Sequence, residues 1–380
     1  MGLDNIQVSV VLPCLNEESA LSLCINKIKE VFAREGITGE IIVADNNSAD
    51  NSREIALSLG ARVIIEPQKG YGAAYLSGLK EAKGEYIVIA DSDNTYDFYD
   101  MPKFLKPLKD GYDFVLGSRF KGKIKKGAMT WSHRYIGNPI LSGMCRLFFR
   151  TRLSDIHCGM RSFTNAAYKK MKLRTMGMEF ATEMVVSALA HNLRTFEVPI
   201  NYYPREGESK LSPFSDAWRH IRFMLIYSPL WLYFMPALTG FLLGIVILLL
   251  LLKGPFLFLG HQWDIHFMIF ISAISILSYQ LLNLGIFAHT FAINEGFLRN
   301  DRFFIFFQRN FNLEKGLMIG TLLFIAGISI NLLIFIEWFF KHFGTLARLR
   351  ESILAMTLLI IGLQTIFSSF FISLLFLKRK

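Results

Sequence analysis

Four long apolar stretches in the second half of the sequence constrain the fold more than any other feature. A helix needs about 20 apolar residues to cross the hydrocarbon core of a bilayer, and each stretch is longer than that. The sequence therefore predicts a membrane domain over residues 230–380 that contains four transmembrane helices. The predicted spans are residues 230–252, 267–293, 317–340 and 353–377.

Residues 1–212 follow a different pattern. Short β-branched runs alternate with helical segments, which is typical of an α/β fold with a mostly parallel sheet. We expect a domain of this class over residues 1–212, followed by an amphipathic interfacial helix over residues 213–229. The predicted strands are residues 8–12, 40–44, 62–66, 85–90 and 114–117, and the predicted helices include residues 20–32, 52–59 and 73–82.

The distribution of charge predicts how the chain meets the membrane. No signal peptide precedes the first strand, so we expect the first domain to stay in the cytoplasm. Basic residues precede the first span, lie between the second and third spans and end the chain, which predicts that both termini are cytoplasmic. With four spans present, the formal net charge of +10 favours membrane surfaces and phosphate groups over nucleic acid as partners.

Two carboxylates, Asp91 and Asp93, directly follow the predicted strand 85–90. The carboxyl ends of strands in an open α/β sheet face the crevice where ligands bind. Paired carboxylates in that crevice suit a hard divalent cation that also holds a diphosphate. Asp45 ends another predicted strand and should reach the same edge of the sheet. We therefore predict a nucleotide-diphosphate site.

A glycine-rich loop, Lys69-Gly70-Tyr71-Gly72, precedes the helix that leads to this strand. Glycine lets a phosphate approach the backbone closely, so we expect Lys69, Gly70 and Gly72 to bind the nucleotide. A simple turn is the alternative, because glycines mark turns in many proteins.

Several motifs occur in an order that points to one enzyme family. The motifs are Pro13-Cys-Leu-Asn-Glu17, Val43-Ala-Asp-Asn-Asn-Ser48, the Lys69 loop, Asp91-Ser-Asp93, Gly117-Ser-Arg-Phe120 and Asp155 with Gly159-Met-Arg161. As a set they resemble family-2 glycosyltransferases of the GT-A fold, over roughly residues 6–215. The chain is most similar to the polyprenyl-phosphate branch, which includes dolichol-phosphate mannose and glucose synthases.

The resemblance implies a GT-A nucleotide-sugar-binding domain and assigns roles on its donor side. Asp93 would ligate Mg²⁺ or Mn²⁺ on the diphosphate, and Asp91 would reach the sugar or the metal shell. Thr95 stands where some members of the family have a glutamine ligand. Asp45 would bond the nucleobase or ribose, in a pocket that is also lined by Pro13, Leu15 and Glu17.

The resemblance also assigns roles near the acceptor and the sugar. Arg119 would contact the acceptor phosphate, and Arg134 is a weaker candidate for a second phosphate contact. Asp155 is the best candidate for a carboxylate near the reacting centre. Arg161 is a further candidate, because it belongs with Arg119 and Arg134 to the cationic residues in the second half of the domain. Glu183 or Glu179 would bind donor hydroxyls. Arg205 and Lys210 lie in a loop that resembles the family's flexible acceptor loop.

The implied reaction is an inverting transfer of a hexose from a UDP- or GDP-linked sugar to polyprenyl or dolichyl phosphate, with glucose or mannose favoured. A processive polysaccharide synthase is one alternative, although the Gln-x-x-Arg-Trp motif of such enzymes is not found. A non-catalytic membrane protein that binds nucleotide sugars is another. The oligomeric state stays open, a homo-oligomer included.

Two amphipathic stretches, residues 131–152 and 214–227, mix aromatic, aliphatic and basic side chains. Helices with one apolar and one basic face suit the bilayer interface. We expect both to lie at the interface, and packing against the sheet is the alternative.

Overall fold

The structure, a computed structural model, describes residues 6–207, 213–294, 298 and 302–376. The chain forms two compact units, Met1–Met224 and Leu225–Lys380. We call them the sheet unit and the helical unit and describe each by itself.

Seven strands build one sheet in the sheet unit, and the mostly parallel arrangement that the sequence predicts is confirmed. Along the sheet the chain order of the strands is third, second, first, fourth, sixth, fifth and seventh. All neighbouring pairs are parallel except those made by the sixth strand, which is antiparallel to both neighbours. The strands are β1 (Val8–Cys14), β2 (Gly39–Asp45), β3 (Arg62–Ile65), β4 (Tyr86–Ile89), β5 (Phe114–Ile124), β6 (Arg161–Thr164) and β7 (Thr195–Tyr202).

Helices of the sheet unit fill the connections between these strands. The central strands are buried on both faces, which explains why β1, β2 and β4 are nearly continuous hydrophobic runs. The helices are α1 (Glu18–Glu35), α2 (Ser52–Ser58), α3 (Tyr71–Glu81), α4 (Met101–Lys109), α5 (Asn138–Phe149), α6 (Asn165–Met171), α7 (Phe180–Ala190) and α8 (Pro213–Ile226).

Parallel pairing on both sides of β1 sets the positions of the loops that follow β1, β2 and β4. Cys14 at the end of β1 pairs with Asp45 at the end of β2, and Val11 of β1 pairs with Ile89 at the end of β4. The loops that carry Glu17, Asp45 and Asp91 therefore leave the sheet at one edge.

The two amphipathic stretches pack against the sheet unit on one face, and their position at the bilayer interface stays a prediction. In α5, Leu141 and Cys145 are buried, whereas Trp131 and Tyr135 just before the helix are exposed. In α8, Met224 is fully buried and Trp218 is 59% exposed. Each stretch packs one face on the sheet unit and leaves a face with aromatic side chains open.

The helical unit contains the four predicted spans as helices that are long and apolar enough to cross a membrane, and this prediction is confirmed. The first span, Leu230–Leu252, starts with a π-helical turn, Leu230–Phe234. A two-stranded hairpin and one short helix lie between the spans. The elements are α9 (Met235–Leu252), β8 (Phe256–Phe258), β9 (His261–Trp263), α10 (Ile265–Asn294), α11 (Arg302–Asn310), α12 (Leu313–Phe340) and α13 (Leu349–Phe376).

Glycines bring α12 and α13 into close contact. A Cβ atom added at Gly362 would lie 2.6 Å from the backbone nitrogen of Phe324, and one added at Gly320 would lie 2.9 Å from the carbonyl oxygen of Gly362. Small residues allow this approach between membrane helices, where packing rather than water exclusion holds helices together.

Gly362→Leu should therefore force α12 and α13 apart. We expect a destabilisation of about 2 kcal/mol, the usual scale for overpacking a close contact. Thermal unfolding of the purified protein in detergent, followed by circular dichroism, measures it. Leu363→Ala is the matched control, because Leu363 is 45% exposed and its loss should change little. Equal melting of Gly362→Leu and the wild type would contradict the packing described.

Candidate active site

Asp93 is oriented by its own loop. Its Oδ1 atom accepts hydrogen bonds from the backbone nitrogen of Thr95 at 3.1 Å and from the Thr95 hydroxyl at 2.6 Å. Its Oδ2 atom lies 3.4 Å from Nη1 of Arg205. Thr95 thus fixes the direction of the Asp93 carboxylate and leaves Oδ2 toward Arg205.

Asp91 lies in a tight, anion-rich environment. Its Oδ1 atom accepts hydrogen bonds from the hydroxyls of Tyr71 at 2.9 Å and Tyr75 at 3.4 Å. A Cβ atom on Gly159 would lie 2.6 Å from Oδ2, so only glycine fits there without a shift. Burial, and then the neighbouring charge of Asp93, raise the pKa of Asp91 to about 6.

This pair of carboxylates fits a hard divalent cation. Their donor atoms are carboxylate oxygens, the ligand atoms that hard divalent cations prefer. Among the residues that the structure describes, no group of three or more His, Cys, Asp or Glu side chains could hold a metal ion. Mg²⁺ or Mn²⁺ held by Asp91 and Asp93 would take its other ligands from phosphate and water.

Arg205 joins the loops after β1, β4 and β7. Its guanidinium forms an ion pair with Glu17 and lies 3.4 Å from Asp93. The end of β1 itself is tied to the loop after β4, because the Ser92 hydroxyl donates to the carbonyl oxygen of Pro13 at 2.6 Å. Lys210, expected in the same loop as Arg205, lies outside the described residues.

Asp45 and Asn46 follow β2 and hold neighbouring loops. The buried carboxylate of Asp45 accepts a hydrogen bond from Arg53 at 2.6 Å and one from the backbone nitrogen of Ser48 at 3.2 Å. Asn46 donates to the carbonyl oxygens of residues 66 and 68 and accepts from the backbone nitrogen of Gly70 at 2.8 Å. Asn46 thereby fixes the loop that carries the exposed Lys69. Leu15, half-buried, lies in the loop after β1.

Gly70 and Gly72 are required by the chain's own backbone. Cβ atoms at these positions would lie 2.2 Å from the carbonyl oxygens of Met176 and Thr175, respectively. The Met176 carbonyl also accepts a hydrogen bond from the backbone nitrogen of Ala73 at 3.1 Å, in the first turn of α3. In the structure, the atoms that approach these glycines closely belong to the backbone of residues 175 and 176. The close approach of a phosphate to the same glycines stays a prediction.

Glu183 holds the segment that packs on these glycines. Its Oε1 atom accepts from the backbone nitrogen of Arg174 at 2.9 Å, and Oε2 accepts from the backbone nitrogen and hydroxyl of Thr175 at 2.9 and 2.6 Å. Glu183 is buried, with 6% of its surface exposed. We therefore expect Glu183 to shape the loop beside α3 rather than to contact donor hydroxyls directly.

Arg119 is held by Asp155. Nε and Nη2 of Arg119 donate to the two carboxylate oxygens at 2.7 and 2.8 Å, and its backbone nitrogen donates at 3.0 Å. Burial alone would lower the pKa of Arg119, but the charge and hydrogen bonds of Asp155 raise it well above its usual value. Nη1 takes part in none of these bonds. The guanidinium also lies 5.2 Å from the ring of Tyr202.

A bulge in β5 presents Arg119. Five steps along β5, from Ser118 to Lys123, match only two steps along β7, from Pro199 to Asn201. Bulges near functional sites redirect side chains. The glycine in this bulge, Gly122, allows the β7 backbone to pass, since a Cβ atom there would lie 1.8 Å from a carbonyl oxygen.

Arg161 and Arg134 contact backbone carbonyl oxygens and an aromatic ring, respectively, whereas Arg119 and Arg205 pair with carboxylates. Arg161 is 1% exposed and donates to the carbonyl oxygens of Ile156, Cys158 and Ala181. We expect it to hold the loop that carries Asp155. Arg134 lies in a π-helical turn before α5, with its guanidinium over the ring of Tyr135.

A pair of histidines beside Asp155 has no distinctive sequence signal. His157 is half-buried and His220 is buried; their ring centres lie 4.3 Å apart, and Thr182 hydrogen-bonds His220 at 2.8 Å. Burial, and then the neighbouring His220, hold the pKa of His157 well below its usual value. Burial and then Arg161 lower the pKa of His220 to about 4.

Comparisons with known proteins agree on one family. A family model described as glycosyl transferase family 2 matches residues 9–177, and one described as its C-terminal transmembrane region matches residues 286–376. The low-salt glycan biosynthesis hexosyltransferase Agl6 of Haloferax volcanii is 38% identical over 365 residues, which are 96% of this chain and 87% of Agl6. The dolichyl-phosphate hexose transferase of that organism is 31% identical over 209 residues, 55% of this chain and 88% of that protein.

One solved structure that the chain resembles is glucosyl-3-phosphoglycerate synthase from Mycobacterium tuberculosis in complex with phosphoglyceric acid. The TM-score is 0.46 and the sequence identity is 21%. The match covers 58% of this chain and 79% of the synthase.

The contact between Gly72 and residue 175 yields a stability prediction. Gly72→Ala should cost about 2 kcal/mol of unfolding free energy, because the new Cβ meets a carbonyl oxygen that a side-chain rotation cannot remove. Gly143→Ala is the control: it lies in α5, where an added Cβ meets nothing closer than 3.8 Å. This change should stabilise by about 0.5 kcal/mol through helix propensity. Chemical denaturation measures both, and a neutral Gly72→Ala would contradict the contact.

Proposed function

The chain belongs to glycosyltransferase family 2, and from this premise we propose that it transfers a hexose from a nucleotide-diphosphate sugar to polyprenyl or dolichyl phosphate. Glucose and mannose are the favoured sugars. Two relatives support the reaction class, because Agl6 is named a hexosyltransferase and the second a dolichyl-phosphate hexose transferase.

The observation that carries the proposal is the opposite charge of two neighbouring groups. Asp91 and Asp93 form an acidic pair, and Arg119 is a buried cation fixed by Asp155. The loop from Asp155 to Gly159 connects the two groups: the backbone nitrogen of Cys158 donates to the carbonyl oxygen of Asp155 at 3.3 Å, and Gly159 lies against Asp91. A donor diphosphate with its cation suits the acidic pair, and an acceptor phosphate suits the arginine.

On the donor side, Asp93 and Asp91 would hold Mg²⁺ or Mn²⁺. When bound, the cation supplies positive charge to the leaving diphosphate. Thr95 keeps the Asp93 carboxylate in one orientation, so little reorganisation is needed when charge develops. Arg205, which pairs with Glu17 and Asp93, is the cation that would exchange partners when donor binds.

On the acceptor side, Arg119 would bind the phosphate through Nη1 while Asp155 retains Nε and Nη2. A phosphate monoester has a second pKa near 6 and is mostly ionised at neutral pH. The reaction therefore needs no dedicated general base. An oxygen of the acceptor phosphate attacks the anomeric carbon opposite the leaving diphosphate, and the configuration inverts. The protein's task is positioning.

A lipid acceptor agrees with the apolar surfaces of the sheet unit and with the four spans. Trp131 is 68% exposed and Trp218 is 59% exposed, and Ile140 and Leu147 are each 54% exposed. Exposed tryptophans and aliphatic side chains suit the interfacial region of a bilayer. We propose that these side chains meet the membrane on its cytoplasmic side, where both termini would lie.

Transfer of radiolabelled sugar into organic-extractable lipid tests the proposal. The purified protein receives polyprenyl phosphate, Mg²⁺ or Mn²⁺, and one of GDP-mannose, UDP-glucose or UDP-N-acetylglucosamine. We expect labelled lipid from one donor and a loss of about 100-fold or more in Asp93→Ala. Asp110→Ala, an exposed carboxylate at the end of α4, is the matched control and should keep full activity. No lipid product with any donor would refute the proposed acceptor.

The raised pKa of Asp91 predicts how pH affects cation binding. The carboxyl of Asp91 titrates at about 6, so below that pH a proton competes with the cation. We expect Mn²⁺ affinity of the ligand-free protein to fall by up to about tenfold per pH unit below 6. Electron paramagnetic resonance of Mn²⁺ measures this affinity between about pH 5 and pH 7, a range centred on the pKa of Asp91. Asp91→Asn should bind weakly and without this dependence; a wild type whose affinity is constant over the range would count against the assignment.

A further inference from the structure

Glu197 lies on β7, outside every motif that pointed to the site, and its carboxylate faces the Asp155 loop. Oε1 accepts three hydrogen bonds: from the backbone nitrogen of Ser154 at 2.8 Å, from its hydroxyl at 2.8 Å, and from the backbone nitrogen of Asp155 at 3.2 Å. The side chain is 5% exposed. One buried oxygen atom therefore fixes the backbone on which Asp155 is mounted.

The other oxygen of Glu197 has a separate contact. Oε2 lies 2.5 Å from Nζ of Lys121, whose side chain is 51% exposed. Ion pairs of exposed lysines contribute little to stability. The two oxygen atoms of Glu197 thus have different partners: Oε1 accepts hydrogen bonds from residues 154 and 155, and Oε2 forms an ion pair with Lys121.

These contacts form a chain that ends at the cationic group of the site. Glu197 holds residues 154 and 155, and Asp155 binds Nε and Nη2 of Arg119 at 2.7 and 2.8 Å. Arg119 and Lys121 are two residues apart on β5, and each is opposed by one carboxylate of this chain of contacts.

We propose that Glu197 is a positioning residue for the acceptor phosphate: it fixes Asp155 and, through Asp155, the direction of the Arg119 guanidinium. The inference rests on the proposed function, in which Arg119 binds that phosphate. Glu197 itself touches no substrate.

The effect should be specific to the acceptor. Among the described contacts, none joins Glu197 to Asp45, Asp91 or Asp93, so the donor side should not respond to its loss. Without the Oε1 acceptor, the backbone nitrogens of residues 154 and 155 lose their partner and the loop can shift. A displacement of about 1 Å in a positioning group can cost about 100-fold in rate.

Three variants separate the two oxygen atoms of Glu197. Glu197→Ala removes both contacts. Glu197→Gln keeps a carbonyl oxygen that can accept the three hydrogen bonds but removes the charge opposite Lys121. Lys121→Ala removes only the ion pair. Steady-state transfer assays give KM and kcat for polyprenyl phosphate and for the sugar nucleotide with each full-length variant in detergent.

Glu197→Ala should raise the KM for polyprenyl phosphate about tenfold or more and leave the KM for the donor within about twofold of the wild type. Glu197→Gln should stay within about threefold, and Lys121→Ala within about twofold. Three results would overturn the proposal: an unchanged acceptor KM in Glu197→Ala, an equal rise of both KM values, or equal impairment of the alanine and glutamine variants.

Hydrogen exchange keeps this inference separable from the proposed function. If the wild type transfers no sugar to lipid phosphate, the proposed acceptor is wrong, and the assay says nothing about Glu197. Amide exchange at residues 154 and 155 then decides. Faster exchange in Glu197→Ala, with wild-type exchange in Glu197→Gln, would support the positioning of the loop by Glu197. Unchanged exchange in Glu197→Ala would refute it.

Discussion

Strand β1 pairs in parallel with β2 on one side and with β4 on the other, and the positions of Glu17, Asp45, Asp91 and Asp93 depend on this pairing. A slip of one residue between paired strands would turn their side chains to the opposite faces of the sheet. Val10, Val11 and Leu12 are fully buried in the middle of the sheet, so such a slip would disrupt the packing on both faces. The apolar core therefore determines where Asp45 and Asp91 lie relative to Glu17.

Buried charges in the sheet unit have partners from their own chain. Arg161 donates to backbone carbonyls, Arg119 to Asp155, and Glu183 accepts from backbone N–H groups. Burying a charge is costly unless such partners are present. Asp91 and Asp93 differ in that they are two neighbouring carboxylates: burial, and then the charge of Asp93, raise the pKa of Asp91, although Tyr71, Thr95 and Arg205 contact the pair. The fold thus brings two like charges together at one place.

The sequence predicted the parts of this protein that depend on local patterns. The buried runs of β1, β2 and β4, the four spans and the α/β class are confirmed, as is the membership of a glycosyltransferase family, which removes the non-catalytic alternative. The antiparallel strand β6 was not predicted, because Arg161-Ser-Phe-Thr164 has no apolar alternation. The roles of Glu183, Glu197 and Asn46 were out of reach for another reason: each binds the backbone of another segment of the chain, and backbone acceptors and donors leave no signature in residue type.

The bulge between β5 and β7 has a further consequence for the edge of the sheet. Strand β7 is the last strand on its side, and Pro199 lies in it where the bulge begins. Exposed edge strands with unpaired backbone N–H groups can pair with another chain and aggregate, and proline has no N–H group to offer. The irregularity that presents Arg119 therefore also makes this edge a poor template for unwanted association.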